Sequence, residues 1–317
     1  MDKLLVTGAA GQLGTELTQK LCEVYGPDAV LATDINPEAA GKFPYCRFAV
    51  LDVLNREQVR QFLKKEKTTQ VYHLAATLSA TAEQKPLFAW KLNMDSLLQL
   101  LELGREFKLD KIFWPSSIAV FGPRSPKKNT SQYAVKEPNT VYGISKLAGE
   151  RWCEYYYKHF GVDVRSLRYP GLIGYKSPPG GGTTDYAVDI FHQALAGKSF
   201  CSYLEKDTRL PMMYMPDAIK ATMALMQAPK EKLGVRSSYN LAALSFTPEE
   251  LYQGILQHVP GFSISYAPDY RQEIAAGWPQ SINDRQARED WHWEPDYDLP
   301  AMIENMLEEL PKLLENK

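Results

Sequence analysis

Residues 4–14 of this 317-residue chain read LLVTGAAGQLG, and this stretch indicates the fold. A short apolar strand, predicted from Lys3 to Thr7, runs into a glycine-rich turn, and a helix is predicted from Gly11 to Tyr25. Such a turn lets the backbone approach a pyrophosphate closely and directs the positive end of the helix at it. A tight strand-to-helix turn without a ligand is the alternative interpretation. The predicted dinucleotide contacts are Gly8, Gly11, Gln12, Leu13 and Gly14.

The pattern continues outward as short β-branched runs that alternate with helical patterns, which is typical of parallel strands joined by crossover helices. Predicted strands cover residues 30–33, 47–49, 70–74, 111–114 and 163–168, and predicted helices cover 56–66, 86–107 and 141–160. The prediction is an α/β fold with a Rossmann-like, doubly wound parallel sheet in residues 1–174. The sequence SPPGGG at 177–182 breaks the pattern before a helix that begins near Asp185. Residues 175–317 are predicted to form mainly a smaller substrate-binding lobe, with about 210–245 returning to the first domain and 278–300 irregular.

An acidic residue follows the second predicted strand. Asp34 lies twenty residues beyond Gly14, where a carboxylate accepts hydrogen bonds from ribose hydroxyls. Its charge would repel a 2'-phosphate, and no arginine lies beside it, so the pattern favours NAD over NADP. The alternative is an aspartate that caps the turn at Asn36-Pro37.

A tyrosine and a lysine, Tyr142 and Lys146, lie four residues apart on a predicted helix, so their side chains share one face. A free phenol has a pKa near ~10, and an ammonium group close to it favours the phenolate, which can act as a base. An exposed surface pair is the alternative. The fifth strand ends in Ser116-Ser117, at the sheet edge where ligands bind, so a serine there is predicted to polarise a substrate oxygen. Either serine could instead cap a turn.

Composition excludes several classes of function. The net charge of -2 and the 44% of hydrophobic residues do not suggest a nucleic-acid partner. The four cysteines and five histidines show no metal-ligand spacing, so no metal site is predicted. We expect a cytoplasmic protein without a membrane segment, because residue 1 leads directly into a strand and no run of about 18 apolar residues occurs.

Taken together, these residues resemble the extended short-chain dehydrogenases/reductases. The resemblance rests on the spaced glycines, Asp34, the serine, tyrosine and lysine, and on four further motifs: LDV at 51–53, HLAA at 73–76, Asn93 and LRYP at 167–170. It implies that Asp52 and Val53 border the adenine, that residues 74–76 line the cofactor cleft, and that residues 170–173 flank the nicotinamide. The cofactor contacts that the resemblance adds are Ile35, Asn36, Leu51, Asp52, Val53, Leu74, Ala75, Ala76, Asn93, Tyr142, Lys146, Pro170, Leu172 and Ile173.

Within that family, the residues at 180–189 and 211–217 are most similar to those of the zinc-independent L-threonine 3-dehydrogenases. The similarity implies that L-threonine is oxidised with NAD to 2-amino-3-oxobutanoate. Tyr142 would be the base, Lys146 would lower its pKa and hold the nicotinamide ribose, and Ser117 would stabilise the forming carbonyl. Ser79, Gly180, Thr184 and Asp185 would also contact the substrate. A loop with an N-capped helix is the alternative for 180–185. Gly171 replaces the asparagine that nucleotide-sugar enzymes usually carry, which favours a small substrate.

Two other functions remain open at this level. The chain could be an enzyme of the same fold that acts on a nucleotide sugar, or an NAD(P)-binding sensor without catalytic activity. The helix at 141–160 also carries more aromatic side chains than one buried stripe requires, Trp152 and the tyrosines 155–157 among them. The resemblance implies a homodimer formed through this helix and residues 90–103, and packing inside one subunit is the alternative.

Overall fold

The computed structural model describes residues 2–315 of the chain. Its strands, numbered in chain order, are β1 Leu4–Thr7, β2 Val30–Asp34, β3 Arg47–Val50, β4 Gln70–His73, β5 Lys111–Phe113, β6 Ser116–Ser117, β7 Val164–Arg165, β8 Leu167–Tyr169, β9 Gly171–Ile173, β10 Phe200–Ser202, β11 Leu210–Tyr214, β12 Tyr239–Asn240, β13 Leu244–Phe246 and β14 Ile264–Tyr266. The largest sheet is parallel and has the order β3-β2-β1-β4-β5-β7. This order reverses direction between β1 and β4, which is the point where ligands bind in doubly wound sheets.

The helices connect these strands and continue into the second half of the chain. They are α1 Gln12–Tyr25, α2 Arg56–Glu66, α3 Ser79–Gln84, α4 Pro86–Trp90, α5 Ser96–Phe107, α6 Val141–Phe160, α7 Tyr186–Leu195, α8 Met215–Gln227, α9 Pro248–Leu256, α10 Tyr270–Gly277, α11 Arg285–Trp291 and α12 Leu299–Glu315. The Rossmann-like α/β fold predicted from the sequence is confirmed.

The large sheet is covered by helices on both faces. In β1, Leu4 and Val6 pack with α1 and α8, whereas Leu5 packs with α2 and α5 on the other face. Alternate residues of a strand point to opposite faces, so a strand buried on both sides reads as a continuous apolar run. This is why LLV could be recognised as the first strand.

A third apolar cluster holds the smaller lobe together. It joins α7, α9 and α12 with β10, β11 and β13. Residues 213–241, by contrast, contribute largely to the cluster around α1 and β1. The exact division into a domain of residues 1–174 and a lobe of residues 175–317 stays a prediction.

Three elements differ from the sequence prediction. The predicted helix at 86–107 contains one π-helical turn, Lys91–Asp95, between α4 and α5. The predicted strand at 163–168 divides at Ser166, whose carbonyl accepts from Tyr239 N, so β7 joins the large sheet and β8 joins β6 and β12. The prediction of irregular chain at 278–300 is wrong for α11. That helix buries Ala287 and Trp291, four residues apart, on one face.

Candidate active site

The glycine-rich turn packs directly on the loop that follows β4. Gly8 has φ +68°, and a Cβ atom there would lie 2.6 Å from the backbone nitrogen of Ala75. Glycine is required because a side chain would clash and because L-residues rarely adopt this φ. The turn therefore stays open in front of the N-terminus of α1, where a phosphate would lie.

A cleft of about 730 Å³ extends from this turn along the carboxyl ends of the parallel strands. It brings together most residues that the sequence singled out. Predicted cofactor residues on its wall are Gly8, Gly11, Gln12, Leu13, Gly14, Asp34, Ile35, Leu51, Asp52, Val53, Leu74, Ala75, Ala76, Pro170 and Leu172. The remaining predicted site residues on the wall are Ser79, Ser117, Tyr142, Lys146, Gly180, Thr184 and Asp185.

Three predicted cofactor residues do not line the cleft. Asn36 instead caps the turn that follows β2, its side-chain oxygen accepting from Glu38 N at 3.0 Å. Asn93 is buried in the π-helical turn, accepts from Thr77 N at 2.9 Å and donates to Ser145 Oγ at 3.1 Å. Ile173 is fully buried in the lobe cluster. The two asparagines thus support segments beside the cleft and do not face it.

The carboxylate of Asp34 is held at the edge of the cleft. Its two oxygens accept from Ala10 N and Asn36 N, each at 3.1 Å. Lys42 lines the cleft close by and donates to Ala10 O at 3.1 Å. Sequence reasoning missed Lys42, because it belongs to no motif and is brought to the glycine turn by the short 3-10 helix Pro37–Lys42 after β2.

The catalytic candidates converge from β6 and α6. Thr140 caps α6 by accepting from Gly143 N at 3.1 Å, so the helix begins with Tyr142 in its first turn. Ser117 and Tyr142 both line the cleft, and the Ser117 side chain favours a lower pKa for Tyr142. Ser116 is buried and donates to Glu150 Oε1 at 2.7 Å. Of the two strand-end serines, Ser117 is therefore the one whose side chain acts on the tyrosine.

Lys146 is buried behind the tyrosine and does not bond to its hydroxyl. Its ammonium donates to the carbonyl of Pro115 at 2.7 Å, lies 4.6 Å from the ring centre of Trp114, and lies 5.5 Å from that of Tyr142. Burial lowers the pKa of Lys146 to about 7. Burial also raises the pKa of Tyr142 to about 12, and the side chain of Ser117 opposes this increase only in part. The ammonium of Lys146 is directed at Pro115 in this arrangement, and its effect on the pKa of Tyr142 stays a prediction.

The wall of the cleft is closely packed at Gly171. A Cβ atom on Gly171 would lie 2.7 Å from Cβ of Thr184 and 2.6 Å from Sδ of Met212, so no larger side chain fits there. Ser79 Oγ lies 3.2 Å from Thr183 Oγ1 in the same wall. Trp278 is buried and also lines the cleft. The sequence placed it in a surface tail, because no local sequence pattern connects so distant a residue with the cleft.

The glycine loop at 177–182 is tied down on both sides. Asp185 accepts from Gly180 N at 2.6 Å and from Gly182 N at 2.8 Å, so its carboxylate shapes the loop. Lys176 donates to Gln19 Oε1 at 3.1 Å, which links the loop to α1. Within this structure the loop thus covers the cleft between the dinucleotide turn and the catalytic helix.

These features fit a bound dinucleotide. The glycine turn leaves room at the N-terminus of α1, Asp34 offers a carboxylate at the end of β2, and the cleft continues to Ser117 and Tyr142. Among residues 2–315, no three histidine, cysteine, aspartate or glutamate side chains are grouped so that they could hold a metal ion. Over the same residues, no helix has the length and apolar character needed to cross a bilayer.

Comparison with known proteins decides the family. Residues 4–242 match the model of the NAD-dependent epimerase/dehydratase family. The chain belongs to this family. The predicted resemblance to extended short-chain dehydrogenases/reductases is thereby confirmed, and NAD is its cofactor. An uncharacterised epimerase/dehydratase of Staphylococcus haemolyticus is 48% identical over the full length of both chains.

Solved structures within the family are similar over nearly the whole chain. A partial-consensus L-threonine 3-dehydrogenase is 55% identical, with a TM-score of 0.96 and coverage of 98% of this chain and 99% of that one. The holo form of the GalE-like L-threonine dehydrogenase from Cupriavidus necator is 53% identical, with a TM-score of 0.96 and coverage of 97% and 99%. The apo form of the same enzyme gives a TM-score of 0.85 at coverage of 98% and 100%. The family member described here is therefore an NAD-dependent oxidoreductase.

Proposed function

We propose that this protein oxidises L-threonine to 2-amino-3-oxobutanoate with NAD, a reaction of amino-acid catabolism. The observation that carries the proposal is that Ser117, Tyr142 and Lys146 lie together on the wall of a dinucleotide cleft, which at Gly171 is closely packed against Thr184. The similarity to two L-threonine dehydrogenases over nearly the full chain supports the same substrate.

In this proposal each site residue has a separate role in the reaction. Ser117 donates a hydrogen bond to the substrate oxygen and stabilises it as it becomes a carbonyl. Tyr142, as phenolate, takes the proton of the substrate hydroxyl and becomes a neutral phenol. Lys146 holds the ribose beside the tyrosine. The glycine turn, Asp34 and Lys146 would hold NAD⁺, which would supply the hydride acceptor for the β-carbon, so that the products would be the ketone, NADH and one proton.

We assign the amino and carboxylate groups of the substrate to the end of the cleft that Gly171 and Thr184 line. Ser79 and Thr184 offer hydroxyl groups there, and Gly180 offers backbone atoms. Asp185 contributes by holding the amides of Gly180 and Gly182 in place. We propose that residues 1–174 bind the cofactor and that residues from 175 onward complete the substrate site.

A direct assay tests the proposed substrate. We expect purified protein to form NADH from L-threonine in the presence of a chelator, and to form little from L-serine or 2-hydroxy acids. UDP-galactose is the matched probe for the rival function within the family. Turnover of UDP-galactose without oxidation of threonine would replace the proposal by a nucleotide-sugar activity, and cofactor binding without turnover of either would indicate a sensor.

We also propose that the protein is a homodimer formed through α4 and α6. These helices pack side by side and expose large apolar side chains in one subunit, including Leu87 at 86%, Trp90 at 41% and Trp152 at 40%. The exposed apolar area of α4 and α6 is larger than scattered single residues would give, and a second copy of the chain would cover it.

Light scattering after gel filtration checks the dimer. The wild-type protein is expected to elute at twice the subunit mass, and Trp152→Glu is expected to shift it to the monomer because burying an unpaired carboxylate is costly. Tyr270→Glu, at an aromatic position on α10 that is 50% exposed, is the matched control and should remain dimeric. A dimer that survives Trp152→Glu would place the interface elsewhere.

A further inference from the structure

A second cavity, of about 280 Å³, lies outside the catalytic cleft. Four positions of α6 with three- and four-residue spacing, 147, 150, 151 and 154, form one wall. The loop before α6 contributes Lys136, β8 contributes Arg168, and the segment before β12 contributes Arg236. Its volume is below the range of about 300–1,000 Å³ that holds drug-sized ligands, so only a small ligand fits.

Cationic groups outnumber carboxylates around this cavity. Arg168 is matched by Glu150, with both nitrogen-oxygen distances at 2.7 Å. Glu154, however, is shared between Arg151 and Lys158. Asp163 is likewise shared, since Arg165 and Arg236 both bind its oxygens. The whole chain has a net charge of -2, so this local excess of positive charge does not reflect its composition.

Lys136 is the least compensated of these groups. Its ammonium donates to the carbonyl of Ala134 at 3.3 Å, and no carboxylate of residues 2–315 lies within 4.0 Å of it. Burial lowers its pKa to about 8; Arg168 and Arg151 add repulsion, and Glu150 opposes it. A partly buried ammonium beside two guanidinium groups is stabilised when an anion joins them.

We propose that this cavity, bounded by Lys136, Arg151 and Arg236, binds a small phosphate-bearing anion. A phosphate group offers several acceptor oxygens and about two negative charges, which suits one ammonium and the forked donors of arginine. Tyr133 lies at the cavity with 74% of its surface exposed, so a planar substituent on the phosphate could stack there. The site is separate from the dinucleotide cleft and does not depend on the substrate proposed above.

Calorimetric titration of the NAD-saturated protein tests the site, because NAD occupies the other phosphate-binding position. Inorganic phosphate and phenyl phosphate are the two probes, at constant ionic strength in a phosphate-free buffer. We expect saturable binding of at least one probe. Equal affinities would identify inorganic phosphate as the ligand, and tighter binding of phenyl phosphate would identify an ester.

Variants of Lys136 test whether the anion binds in this cavity. Lys136→Met is expected to weaken binding roughly tenfold, because a charge-assisted hydrogen bond is lost. Lys136→Arg keeps the charge and should restore most of the affinity, which separates loss of the site from loss of folding. Lys128→Met, at an exposed lysine of the same loop, is the control and should bind like the wild type. Non-saturating heats with both probes, or equal binding by the Lys136→Met variant, would overturn the proposal.

Discussion

Replacing Tyr142 by phenylalanine is expected to lower kcat for threonine oxidation by about 100-fold or more, because general-base catalysis contributes about 10²–10⁴. Affinity for NAD should change little, since the phenyl ring keeps its place in the cleft wall. In the wild-type protein burial raises the pKa of Tyr142 to about 12, so the phenolate becomes more abundant as the pH increases. We therefore expect kcat/KM to increase from neutral to alkaline pH, and to lose this increase in the variant.

Two further variants make the result specific. Tyr270→Phe removes a hydroxyl from a half-exposed tyrosine outside the cleft and should leave kcat and the pH profile unchanged. Lys146→Met should lower both kcat and NAD affinity, because the lysine is assigned to the ribose as well as to the tyrosine. If Tyr142→Phe keeps the activity and pH profile of the wild type, the base must be another residue.

Much of this site could be predicted because its signals are local in the sequence. The glycine turn and Asp34 follow buried strands, and parallel strands bring their carboxyl ends to one edge of a sheet. Tyr142 and Lys146 share a helix face through their spacing alone. These positions needed only strand order and helix periodicity to be placed together.

Other features depend on contacts between distant parts of the chain. Lys42 ends a short 3-10 helix and Trp278 directly follows α10, so no pattern in their own segments places either residue at the cleft. The choice between Ser116 and Ser117 depended on a glutamate from α6, more than thirty residues later. The raised pKa of Tyr142 follows from burial, which a motif does not describe. The spacing in the sequence identified the residues of the site, whereas the packing of the chain determined their protonation and their hydrogen-bond partners.

That glutamate gives the largest expected effect on stability. Glu150 and Arg168 are each 1% exposed and are joined by two hydrogen bonds of 2.7 Å. Arg168 also donates to Gln132 O and to Asn240 Oδ1, each at 2.9 Å, so it links α6, β8 and β12. Replacing Glu150 by glutamine would leave the guanidinium buried without a counter-charge. The expected loss in the free energy of unfolding is about 3–5 kcal/mol, measured by urea denaturation.

Glu150→Gln is also expected to lower catalytic activity, because Glu150 holds neighbouring residues in position. Glu150 accepts from Ser116, the neighbour of Ser117, so it is a positioning residue for the serine that contacts Tyr142. At a temperature where Glu150→Gln is still folded, kcat should fall while KM for NAD changes little. Glu289→Gln, at an exposed ion pair with Arg285, is the matched control and should cost at most about 1 kcal/mol.

Replacing both partners, Glu150→Leu with Arg168→Met, should recover much of the stability because neither charge remains buried alone. If the double variant recovers stability but not kcat, the structural role of Glu150 is separate from its positioning role. If Glu150→Gln is as stable as Glu289→Gln, the Glu150–Arg168 pair does not stabilise the core.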